Sequence, residues 1–229
     1  MRCTTLQTLR WWLMKIRFDT TSGVDTKKWE CLLTVSCTPE GELPDELLSG
    51  GWLFDPVTKD WYMSRSVRID LEKWSASDSS AESVSSYEWR EISSLSESDL
   101  QMLRNYRRER GIINYPHETF SSFGSVNLEK GFSDLGNCWY MTVNFESSSL
   151  YPICAFEKSG TRTSPGKACW TRACQASKDR GSSHLYVYEG YGPTNAYKAA
   201  SSGFEWWDGS RWSNNRELYL ECLRDDGSL

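Results

Sequence analysis

Hydrophobic and polar positions alternate over short stretches along most of this chain, and the interruptions mark its turns. Residues 29–37 are rich in β-branched and aromatic side chains and run into a break at Pro39, Gly41 and Pro44, which reads as a strand followed by a turn. Residues 51–54 and 61–70 read as strands flanking Asp55-Pro56-Val57-Thr58-Lys59-Asp60, where Asp and Pro supply hairpin chemistry. Residues 75–97 change character. Ser or an acid fills most positions, with Val84, Tyr87, Trp89, Ile92 and Leu95 as the apolar anchors, so the stretch reads as a flexible acidic loop.

The clearest helix follows. Ser96-Glu97-Ser98-Asp99 has the spacing of a capping box, Leu100, Leu103 and Tyr106 share one face, and Gly111 stands where a glycine ends a helix. Arg104, Arg107, Arg108 and Arg110 cluster toward its C-terminal end, where cations complement the helix dipole, and they read as a solvated face. Beyond Tyr115-Pro116 the pattern gives short strands at 138–145, 151–156, 168–172, 185–189, 204–207 and 217–223. Asp208-Gly209 between Trp207 and Trp212 is the sharpest hairpin signal.

These elements predict a mainly β fold, an antiparallel sandwich or barrel-like arrangement with one well-formed α-helix near residues 97–110. The predicted organisation is a β-rich part over 1–74, an acidic Ser-rich loop or linker over 75–96, and a helix plus β-rich part over 97–229, with a single domain as the alternative.

Composition narrows the class. Of 229 residues 38% are hydrophobic and 12 are Trp, which is too much apolar surface for a disordered chain. The net charge of −5 and pI near 5.2 argue against generic binding to a phosphate backbone, although Arg2, Arg10, Lys15 and Arg17 precede the first acid, Asp19. Leu6, Leu9, Leu13 and Ile16 stand near helical spacing there, as in a targeting or membrane-surface helix, and an ordinary docked terminal helix or strand is the preferred reading. No conventional signal peptide and no transmembrane run is seen. The expected setting is the cytoplasm, with secretion or organelle targeting as alternatives, and oligomeric state stays open. Eight Cys is too sparse for a disulfide scaffold, so free thiols are expected.

Three constellations could carry chemistry. Gly136-Asn137-Cys138-Trp139, with His184 ahead of Gly190-Tyr191-Gly192-Pro193, resembles the nucleophile and histidine segments of papain-like cysteine proteases. That resemblance implies a thiol hydrolase in which Cys138 attacks a carbonyl, His184 moves the proton, and Asn195 or Asp208 orients the imidazole. Residues 139–145 nevertheless read as a strand, whereas those nucleophiles sit at a helix N-terminus. Cys169 and Cys174, with Cys154, Cys138, His117 or His184, form a poorly spaced zinc set, and neither a metal nor any cofactor is predicted. His117-Glu118 lacks the spacing of a nucleobase deaminase site.

The third group is Trp206, Trp207, Asp208, Arg211, Trp212 and Asn214, an aromatic hairpin rimmed by polar groups suited to a sugar or protein surface. The run ending in Tyr219-Leu220-Glu221-Cys222 resembles the last strands of C-type lectin-like domains, without their calcium ligands. The preferred function is a non-catalytic binding protein with a glycan or protein ligand, and the alternative is the thiol hydrolase.

Overall fold

A computed structural model describes residues 15–18, 35–38, 44–56, 61–110, 120, 124–134, 136–157 and 164–226. Its strands are β1 (Lys15–Phe18), β2 (Val35–Thr38), β3 (Trp52–Phe54), β4 (Trp61–Met63), β5 (Ser66–Asp70), β6 (Glu88–Ile92), β7 (Ser125–Phe132), β8 (Cys138–Asn144), β9 (Ser148–Phe156), β10 (His184–Glu189), β11 (Phe204–Trp207) and β12 (Trp212–Ser213). Helices are α1 (Pro44–Ser49), α2 (Asp78–Ser85), α3 (Glu97–Arg110), α4 (Pro165–Asp179) and α5 (Arg216–Asp226), with a 3-10 helix at Pro193–Ala200. The fold is mainly β in its framework. A four-stranded sheet runs β1-β2-β4-β3, and an eight-stranded sheet runs β12-β11-β5-β10-β9-β8-β7-β6.

The chain divides into two compact units, one comprising residues 68–188 and 201–203, the other 1–67, 189–200 and 204–229. In the first, β6 to β9 form an antiparallel run between helices on both faces. Lys130 and Trp139 face each other across β7 and β8, so both point to one side, where Lys130 pairs with Asp99 at 2.5 Å and the Trp139 indole donates to the Asp99 carbonyl at 3.3 Å. That is the α3 side. Glu129, opposite Tyr140, points to the other side and pairs with Arg172 of α4 at 2.7 Å. β6 is charged because it is an edge strand, and charge discourages pairing with other chains.

The capping box at the start of α3 is present and reciprocal. Ser96 Oγ accepts from the Asp99 N–H, and Asp99 Oδ2 accepts from the Ser96 N–H at 3.0 Å. Burial pulls the Asp99 pKa up, but hydrogen bonds from Lys130 and Ser96 outweigh it and hold the carboxyl below its ordinary value. The arginines of α3 are partly accounted for on their own helix, Arg104 by Glu97 and Gln101 and Arg108 by Asn105.

In the other unit, the first Trp-bearing hairpin pairs Trp52 with Met63 and Phe54 with Trp61, burying Trp52, Leu53, Phe54 and Trp61. Asn215 caps α5 by accepting from the Leu218 N–H at 3.1 Å, and α5 seats Tyr219 against Phe204 and Trp206. Arg65, stacked on Tyr191, holds the far end of α5 through Asp226 at 2.7 Å.

Three expectations differ from the structure. Residues 168–172 and 217–223, read as strands, lie within α4 and α5. Short apolar runs carry no decisive period, and here the caps decide: Ser164 and Pro165 open α4, while Gly181 at φ 85° closes it, its N–H donating to the Lys178 carbonyl and the next N–H, of Ser182, to the Ser177 carbonyl. The larger sheet is therefore mixed, because α4 carries the chain from β9 to a parallel β10. Residues 78–85 and 88–92, read as loop, form α2 and β6, and buried Ser83 and Tyr87 anchor them. Leu6, Leu9, Leu13, the residue 57–60 turn, Gly111 and His117 lie outside the described residues.

Asp99 joins a helix cap, a buried ion pair and the sheet, so Asp99→Ala should cost roughly 2–4 kcal/mol by urea unfolding. The sign with pH follows from the lowered pKa. The Asp99 contribution is complete above the ordinary carboxylate range and is lost as pH falls through its lower folded value, a dependence that Asp99→Ala should remove.

Candidate functional site

Proline has no N–H to donate to a ladder, yet Pro152 stands in the middle of β9, an interior strand of the larger sheet. The chain accommodates it with a bulge. Met141 pairs with Ile153 and Val143 with Leu150, so Thr142 of β8 faces both Tyr151 and Pro152 of β9. On its other side β9 pairs in parallel with β10, where Ser148, Ser149 and Leu150 meet His184, Leu185 and Tyr186 in turn. The parallel ladder ends there, at the residue before the bulge.

Helix α4 opens at the carboxyl end of β9. Ser164 is its N-cap, accepting from the Lys167 N–H at 3.4 Å, Pro165 follows, and the first turn holds no acid. The first N–H groups of a helix lack intrahelical partners and carry its positive end. Gly166 lets this turn lie close on β9, since a Cβ there would come within 3.1 Å of the Phe156 ring. Tyr106 of α3 packs edge-on against Phe156 at 4.9 Å.

The second wall is strained. Tyr188 of β10 has φ 60°, the one positive φ outside glycine among the described residues, and a bulky side chain is costly in that region. Open α/β sheets bind ligands outside the carboxyl ends of adjacent strands. Sequence reasoning missed Ser164, Pro165, Gly166 and Tyr188. The Ser-Pro start and Gly181 stop were visible signals for α4, whereas the parallel pairing and the Tyr188 backbone had none.

The structure does not bring Cys138 and His184 together. Cys138 pairs with Phe156 at one end of β9 and His184 with Ser148 at the other, about 26 Å apart along a strand rising roughly 3.3 Å per residue. Cys138 is fully buried, and the His184 ring bonds the adjacent Ser183 hydroxyl at 2.9 Å. Cys169 and Cys174 are also buried free thiols in α4, and burial raises both pKa values, the Cys169 value further through Cys138. No group of His, Cys, Asp or Glu able to hold a metal occurs among the described residues.

The aromatic hairpin is arranged by the pleat. Trp206 turns inward, is buried against Tyr219, and donates its indole N–H to the Asn215 carbonyl at 3.1 Å. Trp207 and Trp212 are cross-strand partners, half-buried and edge to face at 5.5 Å. Trp207 lies over Gly51, where a Cβ would come within 2.4 Å of its ring, and Trp212 donates to the Ser49 carbonyl at 2.8 Å. Asp208 Oδ1 accepts from the Ser210 and Arg211 N–H groups, which commits it to the turn and lowers its pKa despite burial. Arg211 and Asn214 are exposed beside it. Among the described residues no helix is long and apolar enough to cross a membrane.

No protein-family model matches the chain, and no curated protein matches it in sequence.

Two measurements follow from this geometry. An electrophilic thiol probe should label Cys138 only as fast as the protein unfolds, with His184→Ala making no difference; rapid His184-dependent labelling would contradict the distance. Lys198, buried on the 3-10 helix with its ammonium 2.5 Å from the Glu189 carbonyl, has its pKa pushed down by burial to about 8 from 10.5. The unfolded chain binds more protons between those values, so stability should rise with pH across that window, and Lys198→Met should flatten the slope.

Proposed function

We propose that this chain binds a phosphate-bearing cofactor with an extended amide arm, of the coenzyme A type, at the carboxyl ends of β9 and β10, and that it serves acyl transfer. The observation that carries this reading is the end of the β9–β10 ladder at Leu150 and Tyr186, on the strand whose carboxyl end, at Phe156, lies against the first turn of α4.

The two halves of such a ligand answer to the two parts of the candidate site. The positive end of the α4 dipole favours a phosphate. The stretch from Tyr151 to Phe156 is roughly 20 Å long at about 3.3 Å per residue, a length that suits an extended chain bearing amides laid along the strand. A lone phosphate would leave that length unused. Coenzyme A is a carrier of acyl groups, the protein's part being to bind and orient it. Transfer would pass directly from thioester to an incoming amine or hydroxyl, because the buried thiols of α4 are poor nucleophiles.

A second reading, recognition of a glycan or another protein by the aromatic hairpin, is favoured by the half-exposed rings of Trp207 and Trp212. Under it Trp212→Ala would abolish binding to a glycan or protein panel without affecting coenzyme A.

Titration calorimetry with coenzyme A tests the main reading. Saturable binding is expected, with adenosine 3′,5′-bisphosphate and pantetheine each binding more weakly than the whole cofactor. Gly166→Val, which forces a branched side chain toward Phe156, should weaken it by about ten-fold or more, roughly 1.4 kcal/mol. Absence of binding by coenzyme A and acetyl-coenzyme A, or indifference to Gly166→Val, would overturn the proposal.

A further inference from the structure

The face of the sheet beneath α4 contains polar groups that the described fold does not satisfy. Glu129 identifies this face through its bond to Arg172, and Asn127, two residues earlier on β7, points the same way. Thr142 of β8 is its cross-strand partner, so the two side chains stand next to each other. Asn127 is 4% exposed and Thr142 fully buried, yet neither Asn127 Nδ2 nor Thr142 Oγ1 meets a hydrogen-bond partner.

We propose that this face holds an ordered internal water bound by Asn127 Nδ2 and Thr142 Oγ1, as part of the native core. A buried amide donor left without an acceptor is destabilising, and buried polar groups in native proteins find a partner in the protein or in water. The position favours water. Thr142 is the residue facing two on β9, so the local strand pairing is irregular, and Pro152 opposite offers no N–H. A bulge next to two polar side chains provides the polar surroundings that an internal water requires. The water accepts from the Asn127 amide and meets the Thr142 hydroxyl, which can donate or accept. This inference is independent of the cofactor reading.

Thr142→Val, similar in shape without the hydroxyl, provides the test, alongside Asn127→Leu. With the water in place Thr142→Val removes one of its partners, so the urea midpoint should fall. Oxygen-17 relaxation dispersion should then count one fewer long-lived internal water than in the parent protein. An unchanged or raised midpoint with an unchanged count would overturn the proposal, since replacing a dry, unpartnered hydroxyl by a methyl is neutral or favourable. Should either variant fail to fold, the parent protein still decides the matter, because absence of any long-lived water in its dispersion profile is incompatible with the site.

Discussion

The constraint on which the candidate site depends is the missing N–H of Pro152. An interior strand is paired on both sides, and a residue without a donor cannot keep both ladders regular. Here the antiparallel side yields by a bulge opposite Thr142, and the parallel side ends at Leu150. A bulged strand bends and its twist increases. Pairing a parallel strand costs the chain a crossover, and α4 is that crossover, which places its first turn at the same end. The end of the parallel ladder and the helix terminus beyond it thus belong to one connection, from β9 through α4 to β10.

Rigidity in this part of the sheet comes from the helices. The two that enclose this part of the sheet are each fixed by a charged pair with little access to solvent on one partner: α3 by Asp99 with Lys130, and α4 by Arg172 with Glu129. Such pairs contribute little net stability over a well-packed apolar contact, because desolvation offsets attraction. They do fix register. A helix free to slide along its apolar stripe loses the bond if it moves by a turn, so each pair assigns its helix one height on the sheet. Burial raises the Tyr140 phenol, with Glu129 beside it adding to the shift, which keeps that side chain neutral within the layer.

Local features were legible in the sequence, and non-local ones were not. Ser96 to Asp99 announced α3 because a capping box is written in four consecutive residues, and Asp208-Gly209 announced its hairpin for the same reason. Residues 168–172 misled because Ala, Cys and Trp in a short run suit a strand or a buried helix equally. The deciding signals, Ser164-Pro165 and Gly181, lie outside the run. The pairing of His184 with Ser148 joins residues far apart in sequence, and no residue pattern declares it. Cys138 and His184 appeared as a pair because their neighbours resemble a known arrangement. Once β9 is known to separate their strands along its full length, the resemblance carries no geometry.

Two departures from regular structure stand at neighbouring positions in the candidate site, and their coincidence is informative. A bulge at Tyr151 and Pro152 gives up ladder bonds, and Tyr188 at φ 60° holds a bulky residue in a region costing of order 1–3 kcal/mol. Either alone could be accommodated anywhere in a sheet of this size. Both lie just beyond the last residues of the parallel register, Leu150 and Tyr186, one on each of the two strands. A sequence selected for stability alone would place an ordinary β-former at 152 and glycine, or a residue with negative φ, at 188. Two such departures side by side at the end of a parallel register are the pattern expected where a local rule is broken for the sake of a site.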